Sequence, residues 1–234
     1  MSIIEFQNLT KAYKDVVAVK DLTAQVEAGR ITGFLGPNGA GKSTALKCLL
    51  SLSAPTSGKA LIRGVSYSHM DHPMKEVGAV IESGGFNNTM SGLRNLKVIA
   101  AASGISDSRA LEVLDLVDLT EARNKKVKEY SLGMKQRLSL ATAMLGEPEI
   151  LVLDEPANGL DPLGIAWLRE FLKGLARKGH TILISSHQLA EMQNTVDDVL
   201  ILHKGRLIAD GPMDEILQGG SLEEAFIRLV EASR

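Results

Sequence analysis

The sequence predicts an α/β fold with a mostly parallel sheet, an N-terminal antiparallel β layer and an inserted helical subdomain. Three observations predict it. Ile150-Leu151-Val152-Leu153 and Thr181-Ile182-Leu183-Ile184 are nearly continuous apolar runs, the pattern of strands buried on both faces of a parallel sheet. Residues 3–30 instead alternate apolar and polar positions with turn residues between them, as half-buried antiparallel strands do. From Ser83 to about Gly146 apolar residues recur at helical spacing, between two strands of the core.

In chain order, Ile4, Phe6, Leu9, Val17, Val19, Leu22 and Val26 mark the β layer, which ends at Ala28-Gly29. Ile31-Thr32-Gly33-Phe34-Leu35 reads as a buried strand, and Thr44 to Leu52 as a helix. Pro55-Thr56-Ser57-Gly58 makes a turn before a strand from Lys59 to Val65. Val77 to Ile81 is a nearly uncharged core strand ending at Glu82. The inserted region holds helices marked by Leu93, Leu96, Val98 and Ile99, by Leu111, Leu114, Leu116 and Val117, and by Leu138, Leu140 and Met144. Ile165, Leu168, Leu172 and Leu175 give another helix. Val199–Leu202 and Arg206–Ala209 form a hairpin through His203-Lys204-Gly205, and a last helix opens after Ser221 with Glu223 and Glu224 in its first turn.

The composition is that of one globular domain spanning residues 1–234, with 44% hydrophobic and 23% charged residues. A formal net charge of -2 gives no electrostatic argument for nucleic acid as a partner. Cys48 is the single cysteine, so an internal disulfide is excluded, and it reads as a buried apolar residue. Met1-Ser2-Ile3-Ile4 enters a strand at once, and no apolar run reaches the 18 residues of a membrane span. A cytoplasmic protein is the expectation.

Chemistry concentrates in Gly36-Pro37-Asn38-Gly39-Ala40-Gly41-Lys42-Ser43-Thr44, which matches G-x-x-x-x-G-K-[ST] between a strand and a helix. Its glycines let backbone N–H groups converge on a phosphate, and the helix N-terminus adds orphan donors and a positive dipole end. Lys42 is suited to the β- and γ-phosphates and the Ser43 hydroxyl to Mg²⁺, so a nucleoside triphosphate is the predicted ligand. Asp154 and Glu155 end the Ile150 strand, at the sheet edge where ligands of open α/β sheets collect. Asp154 would hold Mg²⁺ or its waters, and Glu155 would polarise the attacking water. His187, after the Thr181 strand, is placed to contact the γ-phosphate.

The order of the phosphate loop, Tyr130-Ser131-Leu132-Gly133-Met134-Lys135-Gln136-Arg137, Ile150 to Pro156, Gly159-Leu160-Asp161 and Ser186-His187 resembles the ATP-binding subunit of an ATP-binding cassette (ABC) transporter. The resemblance runs from about Leu9 to Pro212 and implies a P-loop ATPase core with Mg²⁺ and ATP as cofactors. It implies that Tyr13 stacks on adenine, that Glu155 is the catalytic base and that His187 is the switch histidine. It also implies a head-to-tail pair of such subunits, in which Ser131, Gly133 and Asp161 serve the partner's nucleotide. A separate membrane permease would hold the pair at the cytoplasmic face, docking near Glu82 to Leu96 with Phe86, Met90 and Leu93 as contacts.

Two departures from the family pattern stand out. Tyr130, Leu132 and Met134 replace the first, third and fifth members of the usual Leu-Ser-Gly-Gly-Gln, and losing a glycine should narrow backbone freedom. Glu82 stands where a glutamine Mg²⁺ ligand is usual. Together they resemble the subset that exports antibiotics and antimicrobial peptides, including bacitracin and lantibiotic immunity pumps. The alternative is a soluble cassette ATPase of the iron–sulfur assembly type. A GTPase is disfavoured because the sequence has no Asn-Lys-x-Asp for guanine, and a nucleotide kinase leaves Ser131–Gly133 and His187 unexplained.

Overall fold

The computed structural model describes residues 2–81 and 85–232. The strands are β1 (Ser2–Tyr13), β2 (Val16–Glu27), β3 (Ile31–Leu35), β4 (Ser57–Ile62), β5 (Val77–Val80), β6 (Ile150–Asp154), β7 (Thr181–Ser186), β8 (Asp198–His203) and β9 (Arg206–Pro212). The helices are α1 (Lys42–Leu49), α2 (Pro73–Glu76), α3 (Gly92–Ala102), α4 (Asp107–Leu116), α5 (Leu132–Ala143), α6 (Pro162–Arg177), α7 (Leu189–Gln193), α8 (Met213–Leu217) and α9 (Leu222–Ala232).

Two sheets form. The first is antiparallel in the order β2-β1-β4, so the strand following α1 returns to the N-terminal layer. The second runs β5-β6-β7-β3-β8-β9, parallel throughout except for the β8–β9 hairpin. Ile150 to Leu153 are each 0% exposed, as a strand covered on both faces requires. One face packs against the helices through Leu151, Leu153, Ile182 and Ile184; the other meets the antiparallel layer through Phe34, Val152 and Leu183. Phe6 of β1 stacks on Phe34 of β3 with centroids 5.9 Å apart, tying the two sheets together.

Small boundary differences have local causes. Helix α1 starts at Lys42 because Gly41, in the left-handed region, supplies its N-cap. Strand β4 stops at Ile62 because Arg63 and Gly64 both take positive φ and turn the chain back to Val65.

The inserted helices share a core of Leu96, Ala100, Val113, Leu114 and Leu138. The insert is also fastened to the sheet domain. Arg137 of α5 lies 3.9 Å over the ring of Trp167 in α6, and Asp118 accepts from both the Arg137 guanidinium and Trp167 Nε1.

This topology sets the site. In parallel register Leu35 faces Ser186 across the β3–β7 pair, and Asp154 faces Ser185 across β6–β7. The loops leaving β3, β6 and β7 therefore share one edge of the sheet.

Candidate nucleotide site

Between β3 and α1 the loop closes on itself: the Ala40 N–H donates to the Pro37 carbonyl, and the Gly36 N–H donates to Ser186 at the end of β7. Gly41 has φ 105°, and a Cβ there would come within 2.4 Å of the Ala18 carbonyl oxygen. Only glycine fits this corner. No side chain caps α1 and no acidic residue stands in its first turn. Its first N–H groups thus face the cleft with the positive end of the helix dipole, which suits a polyphosphate.

The cleft at this edge measures about 380 Å³ and is lined by Tyr13, Ala18, the run Asn38 to Thr44, and Glu155. The predicted Tyr13, phosphate loop and Glu155 are thereby brought together. Tyr13 ends β1 and is 47% exposed; one ring face carries the Lys11 ammonium at 4.8 Å. Lys42 is buried, and its Nζ donates to the Gly36 carbonyl at 2.7 Å and the Pro37 carbonyl at 3.3 Å. It also lies 3.3 Å from Glu155 Oε1.

Glu155 is the hub. Its backbone takes the left-handed conformation (φ 48°), rare for a residue with a side chain and concentrated at functional positions. Its second oxygen, Oε2, accepts from His187 Nδ1 at 2.8 Å. A carboxylate only accepts, so Nδ1 carries the proton and the other ring nitrogen, Nε2, is left for another partner. Just behind, the Ser185 hydroxyl donates to Asp154 Oδ1 and accepts from the Glu155 N–H at 2.9 Å.

The remaining predicted residues lie apart from the cleft lining. Ser131 N-caps α5, accepting from the Met134 N–H at 3.2 Å, and Gly133 sits in that helix's first turn. Asp161 N-caps α6, accepting from the Gly164 N–H at 2.7 Å. The two helix starts touch each other, since Gly159 leaves room for Leu132: a Cβ there would lie 2.4 Å from Leu132 Cδ2. Leu132 opens α5 without positive φ, so the expected narrowing of backbone freedom has no cost in this conformation. Tyr130 is buried and its hydroxyl donates to the Ala122 carbonyl, which makes it a packing residue of the insert. Glu82 lies outside the described residues.

Sequence reasoning missed Ser185. The signal was a hydroxyl directly after a buried apolar run, in a strand flanking the carboxylate strand. It also missed the Arg137–Trp167 stack, which joins residues 30 positions apart on separate helices.

Among the described residues no helix is long and apolar enough to cross a membrane. The profile of the family described as "ABC transporter" matches residues 19–158, more than half of the chain. The bacitracin transport ATP-binding protein BcrA of Enterococcus faecalis is 42% identical over 217 residues, covering 92% of this chain and 70% of BcrA. The lantibiotic transport ATP-binding protein SrtF of Streptococcus pyogenes is 37% identical, covering 96% of each chain. Among solved structures, an ATP-binding subunit of an ABC transporter superposes with a TM-score of 0.86 at 31% identity, covering 98% of this chain and 100% of that one. The chain belongs to the ABC transporter family, as an ATP-binding subunit whose chemistry is ATP hydrolysis.

Proposed function

We propose that this chain, one nucleotide-binding domain over its whole length, drives a separate membrane permease that exports an antibiotic or antimicrobial peptide. The names of BcrA and SrtF, for bacitracin and lantibiotic transport, support that substrate class. The permease would hold the subunit at the cytoplasmic face of the membrane. A groove of about 380 Å³ lined by Phe86, Met90, Val98 and Ile99 is the proposed seat for one of its cytoplasmic helices. Leu93, the other contact named from the sequence, does not line this groove; like Phe86 it is partly buried and packs against the core cluster.

The observation that carries the mechanism is the asymmetry of the site. The loop from Gly36 to Thr44 offers donors on one side of the cleft, while the α5 start at Ser131 and Gly133 lies outside it. A γ-phosphate needs stabilising groups on several sides during transfer. A second copy, arranged head to tail, would supply Ser131, Gly133 and Asp161. The exposed side chains of Leu132 and Leu163 beside these helix starts are apolar surface that such a partner would cover.

In this reading backbone N–H groups and Lys42 hold the phosphates, and Tyr13 offers its ring to the adenine. Ser43 and Asp154, with Glu82, would hold Mg²⁺, which supplies charge neutralisation of the transferring phosphoryl group. Hard oxygen donors of this kind fit that ion. Glu155 would accept a proton from the attacking water; His187 orients Glu155 through Nδ1, and its Nε2 would be the group that meets the γ-phosphate. Closure on ATP and opening after hydrolysis would convert the chemistry into movement of the permease.

The test is co-expression with a candidate polytopic membrane protein, in a strain sensitive to bacitracin and lantibiotics. Co-purification of the two and raised resistance, lost in Lys42→Ala, is the expected result. A chain that leaves with no membrane protein and alters no resistance favours the soluble cassette alternative.

A further inference from the structure

The hydroxyl of Ser185 is 0% exposed in a strand whose preceding residues Ile182, Leu183 and Ile184 are also 0% exposed. A hydroxyl in such surroundings is costly unless bonded. Here it is bonded twice, and the direction of both bonds is forced. The Asp154 carboxylate only accepts, so the single Ser185 proton goes to Oδ1; the Glu155 N–H only donates, so it takes a lone pair of the same oxygen. One buried oxygen therefore joins the two neighbouring acids. We propose that Ser185 is a positioning residue for ATP hydrolysis, acting through both Asp154 and Glu155; the proposal rests on the roles assigned to those two residues above.

The geometry gives the reason. Glu155 is held at φ 48°, a conformation unfavourable to a residue that carries a Cβ. The bond from its N–H to Ser185 is a local restraint on that conformation. From there the side chain reaches Lys42 with one oxygen and His187 with the other. The same hydroxyl fixes the rotation of the Asp154 carboxylate by engaging Oδ1. Without it, the part-buried Glu155 N–H and an Asp154 carboxylate oxygen lose a partner, the Glu155 backbone loses this restraint and the Asp154 carboxylate can turn. Groups that orient ligands and bases from behind cost about 10–100-fold in metal affinity or activity when removed.

The experiment compares Ser185→Ala, Ser185→Thr and Glu155→Gln. Steady-state hydrolysis is followed against ATP and, separately, against Mg²⁺, and backbone amide exchange at Glu155 is measured without nucleotide. Ser185→Ala is expected to lower kcat by about 10–100-fold with little change in KM for ATP, and to raise the half-saturating Mg²⁺ concentration several-fold. Its Glu155 amide is expected to exchange at least about tenfold faster, following loss of the bond. Ser185→Thr, which keeps the oxygen, is expected to restore slow exchange and most of kcat. Parent-like kcat in Ser185→Ala, with Glu155→Gln arrested, overturns the proposal alone. So does a loss of ATP binding matching the loss of kcat, or a Glu155 amide that already exchanges freely in the parent. Parent-like turnover by Glu155→Gln overturns the reading beneath it. Should the alanine variant fail to fold, the threonine variant and the parent amide measurement still decide.

Discussion

Two glycines of the phosphate loop differ in what surrounds them, and that difference sets a graded expectation. Gly41 has φ 105°, and an added Cβ would stand 2.4 Å from the Ala18 carbonyl oxygen and 3.2 Å from Val19 Cγ2. The obstacle is strand backbone, which cannot step aside as a side-chain tip can. Gly39 has φ 80° with nothing within 4 Å of the added atom. Gly39→Ala therefore meets only backbone strain, about 1–2 kcal/mol. Gly41→Ala adds forced overpacking of typically 1–3 kcal/mol, about 2–5 kcal/mol together. Each 1.4 kcal/mol is a factor of ten in an equilibrium constant, so Gly41→Ala should weaken ATP binding about tenfold or more beyond Gly39→Ala. Urea unfolding followed by Trp167, the single tryptophan, reports the share that falls on global stability. Equal affinities and equal midpoints in the two variants, or a worse Gly39→Ala, would refute the close approach to Ala18.

Other expectations follow from the same structure. Ser131→Arg removes the α5 cap, costing about 0.5–2 kcal/mol, and should leave ATP binding by the monomer intact while light scattering shows no ATP-dependent dimer. Arg137→Ala removes the stack on Trp167 and a bond to Asp118. It should lower stability by about 1–3 kcal/mol and shift the Trp167 emission; an unchanged spectrum counts against the fastening of insert to core. Burial raises the Cys48 thiol above its ordinary range, partly offset by the Lys11 charge and a bond with Ser53. The thiolate is then scarce at pH 8, and alkylation by iodoacetamide should be slow in the native chain and fast in urea; comparable rates would contradict that burial.

What the sequence disclosed and what it hid divide along physical lines. The phosphate loop was legible because backbone geometry dictates its residues: Gly41 admits no Cβ, and the neighbouring strand and helix show in apolar periodicity. Asp154 and Glu155 were legible because a four-residue apolar run ends directly before them. Their shared hydrogen-bond partner was not, since Ser185 stands thirty-one positions from Asp154 and meets it only through the register of two parallel strands. Leu132 shows a second kind of limit. Replacing a glycine suggests a conformational penalty, yet the residue starts a helix and its side chain sits against Gly159, itself at φ 73°. The pairing of Arg137 with Trp167 depends on how two helices meet, which periodicity within either cannot reveal. Ser131 and Asp161 are capping residues within one chain, and their further role arises only if a second chain approaches.

That last point is the one to test most directly. Glu155→Gln preserves the shape of the side chain while removing the proposed proton acceptor, so bound ATP should persist uncleaved. The measurement is the solution mass of this variant with Mg²⁺ and ATP, together with the nucleotide content of each species. A dimer holding two ATP molecules, absent with ADP and abolished by adding Ser131→Arg, is the predicted result. A monomer that retains ATP stoichiometrically and hydrolyses it at the parent rate would contradict the shared site.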